Sequence, residues 1–473
     1  MDLTRSSLKI FGSKVASAIV SFAGITFFAR ELAASQLGSF FLFQALLGVL
    51  AIPADFGIRG AVEKRISEGK DADAVFTTAI LLKLLPLALF VSGIVLLQGV
   101  INEYVGASVA LFLALALVLQ EFSQLGVFVL RGELRVGETA LLQFARQAVW
   151  VGVGAAFVLS DGGVRGLIVG LLAGFGVILL WGAYKASVGI AAPTVTHARS
   201  LVDYSKYNFI SSIGGYFYSW MDVAIIGLFL TQADVGAYEV AWRITAVVML
   251  FSQSIATTIF PQVSEWDAAD ATDRIERLIP RILTPALFFV IPAFFGAVLF
   301  SKEILTLLFG TEYAGAWLVL IILMSEKLLQ APHIILGRSL QGVDQPDLAA
   351  RAGVVAVALN LLLNLVLVWS FGIAGAAIAT AISFAVNTLL HAKYLSRFIA
   401  IQIPYREIGW CVVASLGMTL VLILARSAVI VDTIPKLVIV VLLGVVVYGS
   451  LIIISPTLRS RILEGATVPI DSI

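Results

Sequence analysis

The sequence predicts an all-α membrane protein of about fourteen transmembrane helices, built as two pseudo-symmetric six-helix lobes plus two C-terminal helices, with the N- and C-termini cytoplasmic. Three observations carry this expectation. Hydrophobic residues make up 60% of the chain and charged residues 13%, against about 45–50% and about 25% in soluble domains, so water alone could not solvate the surface. Apolar runs of about 20 residues, enough to cross a bilayer, recur from end to end. Lys and Arg gather on alternate loops, as they do in proteins threaded back and forth across a membrane.

Apolar windows bounded by charges, Gly and Pro set the spans in order. The first six are Leu8–Ala29, Leu37–Phe56, Val75–Leu97, Val105–Val127, Thr139–Leu159 and Val164–Tyr184, forming a lobe over residues 1–200. Tyr207–Leu230, Ala237–Pro261, Ile282–Phe300, Trp317–Leu336, Gly353–Phe371 and Ile373–Tyr394 form a second lobe over 201–400. Ile408–Ala425 and Leu437–Ile454 add two helices within 401–456, and 457–473 is a cytoplasmic tail. The first span is too long for a signal-peptide core and lacks a cleavage site before Arg30-Glu31, so it is expected to be retained.

Placing the N-terminus in the cytoplasm puts about 22 of the 31 basic residues on cytoplasmic segments, which fits an even number of spans. Arg30, Arg165, Lys302, Arg426 and Lys436 fall outside. The longest connections, around Gly57–Ala74, Lys185–Lys206 and Val263–Arg281, are about 20 residues long and too short to enclose a soluble core.

Matched motifs reveal an internal repeat. Gln36-Leu37-Gly38-Ser39-Phe40 pairs with Asp234-Val235-Gly236-Ala237-Tyr238, Leu130-Arg131-Gly132 with Leu340-Gln341-Gly342, and Gly163-Val164-Arg165-Gly166 with Gly372-Ile373-Ala374-Gly375. All lie about 200 residues apart, the offset that duplication of a six-helix unit would give. Six is even, so the copies share one orientation and are related by an axis along the membrane normal.

Several function classes fall away. A net charge of +1 is not that of a nucleic-acid binder. One cysteine, Cys411, cannot form an intrachain disulfide, and His197, His333 and His391 lie far apart in sequence without metal-ligand spacing.

The chain resembles the polysaccharide flippase family of the multidrug, oligosaccharidyl-lipid and polysaccharide exporter superfamily. The resemblance spans nearly the whole sequence. It rests on Phe28-Ala29-Arg30-Glu31-Leu32 with Leu37-Gly38, on Asp55-Phe56-Gly57, on Asp222 followed by Val235-Gly236-Ala237-Tyr238, on Phe309-Gly310-Thr311-Glu312-Tyr313 with Ala316-Trp317, and on Asn360 with Phe371-Gly372-Ile373-Ala374-Gly375-Ala376-Ala377. The resemblance implies a non-enzymatic, multi-pass transporter of the cell membrane that flips lipid-linked oligosaccharides by alternating access. It further implies a polyprenyl phosphate or diphosphate carrier, membrane lipid and glycan-assembly enzymes as partners. No cofactor is implied beyond a coupling ion, Na+ or H+. In relatives, helices 1, 2, 7 and 8 line the central cavity, and helices 13 and 14 are associated with a lipid-tail groove.

An ionisable group at the bilayer centre costs about 2.5–3.5 kcal/mol on insertion scales, so each needs a partner, water or a function. Lys14, Lys83, Arg146 and Arg243 are the deep cations and candidate ligands for a phosphorylated sugar head group. Each has a plainer reading: Lys14 can snorkel to the interface, and Arg243 can satisfy Glu239 one turn earlier. Glu326 and Lys327 are adjacent and point about 100° apart, so at least one is expected to seek another helix as a structural brace.

Related lipid II flippases place a sodium site on an acid of helix 7, polar side chains four apart on helix 11 and a threonine of helix 12. That resemblance carries over to Asp222, Asn360, Asn364 and Thr380. Here Asn364 stands where relatives can carry a second acid, which lowers the negative charge available to Na+ and leaves a proton at Asp222 as the other possibility. The asparagines can equally join helices by hydrogen bonds.

Two rival functions remain at this stage. A multidrug exporter of the same superfamily predicts an acidic cavity for cations. A membrane glycosyltransferase or polymerase predicts catalytic acids on a sizeable external loop, and no external loop here has such a constellation.

Overall fold

The computed structural model describes residues 3–69 and 71–460, with side chains described for all of these except 3–11, 207–208, 210–219 and 258. Lys70, Arg461 and most of the expected tail therefore lie outside the described residues. The described chain is helical: α1 Leu3–Glu31, α2 Ala34–Asp55, α3 Ile58–Ser67, α4 Ala72–Leu96, α5 Gln98–Val105, α6 Ala110–Gly132, α7 Val136–Val158, α8 Gly163–Lys185 and α9 Val195–Phe229. There follow α10 Gln232–Val248, α11 Leu250–Ala268, α12 Thr272–Leu287, α13 Val290–Phe309, a 3-10 turn Thr311–Ala316, α14 Trp317–Gly342, α15 Pro346–Leu395, α16 Tyr405–Ala428 and α17 Ile434–Ile454.

Among the described residues eleven helices are long and apolar enough to span a membrane, or up to twelve if the pair α10–α11, bent by 49°, counts as one. The sequence expectation was fourteen, and the differences have local causes. Gly353–Phe371 and Ile373–Tyr394 run as one 50-residue helix interrupted at Gly372, whose φ of 59° and ψ of −142° are not helical. Tyr207–Leu230 falls in α9, much of which lies outside the described side chains. The connection Gly57–Ala74 contains α3, a polar helix that no hydropathy window detects.

The chain forms two compact units, Met1–Glu239 and Val240–Ile473. In the N-terminal unit, α8 carries Gly166, Gly170 and Gly174 at four-residue spacing along one face. A Cβ on Gly170 would lie 2.6 Å from the Trp150 carbonyl oxygen, and one on Gly174 would lie 2.8 Å from that of Arg146. Lipid offers no hydrophobic drive for helices to associate, so such small residues bind α7 to α8 by close backbone approach. Trp150 of α7 stacks on Phe40 at 5.7 Å and tilts against Phe28 at 5.8 Å, joining α7 to α2 and α1.

Helix ends are fixed by side chains that satisfy otherwise unpaired amides. Asn102 Oδ1 accepts from the Val109 and Ala110 N–H groups at 2.8 and 2.9 Å to start α6. Thr231 and Asp234 hydrogen-bond each other's backbone N–H to start α10. The segment after α8 is tied down by Glu133, which accepts from Ser187 N–H, and by Asp73, which accepts from Gly189 N–H, both at 2.7 Å. Arg135 is bound there too, and hydrogen bonds to Glu138 and Glu133 push its pKa up.

In the C-terminal unit one core joins Leu287, Val290, Met418, Leu422 and Tyr448, and so seats α16 and α17 against α12 and α13. Another gathers Val263, Ile279, Leu283, Ile335 and Leu340.

The repeat reappears in the backbone. Leu134 and Asp344, each two residues after a matched glycine, have φ of 60° and 54°; Gly163 and Gly372, at the other matched site, have φ of 52° and 59°. Gly38 and Gly236 touch directly, since a Cβ on Gly38 would meet the Gln232 carbonyl and the Gly236 nitrogen, while one on Gly236 would meet the Ala34 carbonyl. Gly170→Val is expected to cost about 1–3 kcal/mol or more through overpacking. Thermal unfolding of the purified protein checks this, with Gly176→Ala as the neutral comparison because its added methyl has no neighbour within 4 Å.

Candidate functional site

Polar residues placed one turn apart on apolar helices give the N-terminal unit a polar interior. On α6, Gln120 and Gln124 are four apart, and on α7, Gln143 and Arg146 are three apart, so each pair shares a face. These faces meet Gln44 and Gly48 of α2, Arg59 of α3 and Trp220 of α9 around a cavity of about 290 Å³. Leu47, Leu171 and Phe175 complete its wall. Arg146 lies over the Phe175 ring at 5.8 Å from its centroid, a cation–π geometry that keeps the guanidinium against α8. Among the described residues the lining holds two guanidinium groups and no carboxylate.

A buried charge cluster supports this wall. Lys83 and Glu121 are 0% exposed and Asp55 is 6% exposed. The Lys83 ammonium donates to Glu121 Oε2 at 2.7 Å and also to Asp55 Oδ1. Asp55 Oδ1 meets Arg59 Nε at 3.0 Å and accepts from the Arg59 backbone N–H at 3.3 Å. Two carboxylates and two cations from α2, α3, α4 and α6 thus compensate one another where isolated charges would each cost several kcal/mol. Through Asp55, the cluster fixes Arg59, which reaches the cavity.

The four candidate cations occupy different settings. Arg146 lines the cavity; Lys83 is enclosed in the charge cluster. Lys14 is exposed on α1. Arg243 belongs to the C-terminal unit, 5.9 Å from the Trp242 ring centroid, with Lys327 at 5.8 Å from the same ring. Arg59 and the four glutamines were missed as site residues in the sequence, where Arg59 counted only as a loop cation. The available signal was the three- and four-residue spacing of polar side chains inside apolar spans.

Of the expected ion-coupling residues, three come together in the C-terminal unit. Asn360 Nδ2 donates to Thr380 Oγ1 at 3.2 Å, and Asn364 Nδ2 donates to the Asn360 carbonyl at 3.0 Å. Asp222 belongs to the N-terminal unit, where it accepts a hydrogen bond from the Tyr238 hydroxyl. Its neighbours Tyr216 and Tyr218 lie outside the described side chains.

Two further pairs form in three dimensions. Glu326 and Lys327 pair directly, Nζ to Oε2 at 2.6 Å, because the four-carbon lysine stem bends around the angle that separates the two Cβ atoms. His333 and His391, distant in sequence, meet edge to face with ring centroids 4.5 Å apart.

Comparison with known proteins agrees with this architecture. The family described as "Polysaccharide biosynthesis protein" matches residues 27–318. A protein of Haloferax volcanii described as "Probable low-salt glycan biosynthesis flippase Agl15" is 55% identical, with 97% of each chain covered. From the same organism, "Probable flippase AglR" is 30% identical, with 97% of this chain and 98% of the relative covered. Among solved structures, the lipid II flippase MurJ in an inward closed conformation superposes with a TM-score of 0.79 at 15% identity, covering 95% of this chain and 98% of that one. An inward-facing multidrug resistance MATE family transporter gives 0.68 at 16% identity, covering 80% and 94%.

Lys83→Ala would leave Asp55 and Glu121 buried without their shared cation. The expected loss is about 3–5 kcal/mol, as for other broken buried ion pairs. Thermal unfolding and membrane yield check it, and replacing all three by Met, Asn and Gln should recover most of the loss.

Proposed function

The chain belongs to the polysaccharide biosynthesis protein family, and from that premise we propose that it is a transporter that flips lipid-linked oligosaccharides across the cell membrane by alternating access. The observation that carries the reading is the polar cavity whose described wall residues include Arg59 and Arg146 and no carboxylate. Guanidinium groups pair with phosphate oxygens through two parallel N–H donors, and a low-dielectric wall strengthens that attraction. A cation exporter would need the opposite sign. Relatives named as flippases at 55% and 30% identity support transport rather than catalysis.

The cargo's head group enters the polar interior while its polyprenyl chain stays in lipid. Arg146 contacts the phosphate, and Lys14 and Arg243 are further cations that attract it. Lys83 acts by holding Glu121 and Asp55, the latter of which seats Arg59. Fourteen spans follow if α15 crosses twice around Gly372, α10–α11 crosses once, α12–α13 crosses once and α9 crosses once, which returns both termini to the cytoplasm. The six-helix divisions at 1–200 and 201–400, the helices of 401–456 and the tail belong to the same proposal. Movement is coupled to Na+ or H+ through Asp222, Asn360, Asn364 and Thr380, and the protein works beside glycan-assembly enzymes.

Proteoliposomes containing the full chain and a lipid-linked oligosaccharide test the reading. Sugar accessibility on the opposite leaflet should rise only with protein present, and Arg146→Glu should lower the rate about tenfold or more, as expected for a lost charge-assisted contact. Unchanged sugar orientation in energised vesicles would refute transport of this cargo.

A further inference from the structure

The contact between α14 and α15 in the C-terminal unit contains polar groups that its counterpart in the N-terminal unit lacks. The motif pairs Leu130-Arg131-Gly132 with Leu340-Gln341-Gly342 and Gly163 with Gly372 match α6 to α14 and α8 to the second half of α15. Carried along the helices, that register sets His333 opposite Ser123, Phe384 opposite Phe175, Asn387 opposite Ile178 and His391 opposite Gly182. In the N-terminal unit Val127 and Ile178 belong to one apolar cluster. The copy therefore packs without imidazoles, and packing alone does not require them in α14 and α15. A polar side chain retained in an apolar span calls for a function.

The His333 and His391 rings meet edge to face, and His391 is buried. Its Nδ1 lies 2.9 Å from the Asn387 carbonyl oxygen. A carbonyl can only accept, so the neutral ring carries its proton at Nδ1. On the facing helix, His333 Nδ1 is shielded from solvent and has no hydrogen-bond partner among the described residues; the same holds for Asn387 Oδ1, one turn before His391. Among the described residues neither ring pairs with a carboxylate. On the helices packed around them, Glu326 pairs with Lys327, Glu303 with Arg426, and Glu276 accepts from the Ala400 N–H. The acids Glu265, Asp267, Asp273 and Asp347 and the cations Arg274, Arg277, Arg281, Lys302, Arg338, Arg351 and Lys393 are exposed or partly so. A proton on either imidazole would thus set a charge between α14 and α15 without a counter-ion, which the packed contact opposes and water relieves once the rings part. The helix has a place to bend: Pro332, just before His333, lacks the N–H that would reach the preceding turn. There the Thr388 hydroxyl of α15 donates to the Leu329 carbonyl at 3.2 Å.

We propose that His333 and His391 form a proton-binding site that latches α14 to α15. Neutral, the rings pack edge to face and hold the two helices together; a proton taken from water by either ring parts them about Pro332, and its return to water lets them close. The site rests on no particular cargo.

The test uses the full chain in lipid nanodiscs. The chain has three histidines, so His197→Gln leaves only the pair, and NMR of isotope-labelled imidazoles follows both rings from about pH 8 to about pH 5, a range that brackets the ordinary imidazole midpoint. At least one ring should take up a proton there, and replacing the other by glutamine should move its midpoint, as for coupled sites. Spin labels on Arg338→Cys and Lys393→Cys, in a Cys411→Ser background, report the distance between the two helices. The ratio of parted to packed molecules should rise about threefold or more per pH unit on acidification, within the limit of about tenfold that one proton allows. Combining His333→Gln with His391→Gln should flatten that response; if the double variant does not fold, His333→Gln alone should weaken it. Ring signals that stay fixed across the range, a label distance that ignores pH, or a response that survives both glutamines overturns the proposal. Neither readout uses transport, so a flat pH response leaves the flippase reading standing, and a failed flipping assay leaves the latch standing.

Discussion

The Lys83 ammonium has no contact with solvent and sits between Asp55 and Glu121, so three helices are held by one proton-rich centre. In a low-dielectric interior, removing any partner strands a charge, whereas the complete set is compensated. The register of α2, α4 and α6 is therefore not free to slide. Because Asp55 closes α2 and also takes Arg59 at the start of α3, the same cluster determines where the cavity's first cation stands. The second, Arg146, is placed by other means: its carbonyl lies against Gly174, and its side chain lies over Phe175.

Those two supports divide the labour in a way the membrane dictates. Apolar surface gains little by leaving lipid for protein, so helices associate through close packing at small residues and through polar contacts. The glycine stripe of α8 supplies the first and the charge cluster the second. Polar residues beyond these needs are expensive in an apolar span, which gives the four cavity glutamines their meaning. All four converge on one space.

A cation-lined, carboxamide-rich interior is the chemistry expected for a phosphorylated sugar, and it differs in sign from a site for organic cations. The superposition on both a lipid II flippase and a multidrug resistance transporter shows that the helical scaffold is shared by proteins of different description. The cargo is decided by side chains on that scaffold rather than by the scaffold itself.

Much of the fold was readable in the sequence because hydropathy over about 20 residues is a local property: α2, α4, α6, α7, α8, α16 and α17 fall where their apolar runs do. The repeat was readable for a similar reason, since its glycines mark backbone positions with positive φ or close contact. Arg146 could be singled out as a charge in an apolar span. What the sequence left open depended on neighbours distant in the chain. Lys83, Arg146 and Arg59 are all cations near apolar helices, yet only packing decides that the first is enclosed by two carboxylates while the others reach a cavity. The break that leaves α15 a single element, the direct Glu326–Lys327 pair and the meeting of His333 with His391 were likewise decided in three dimensions, because side-chain reach and helix adjacency have no signature in local composition.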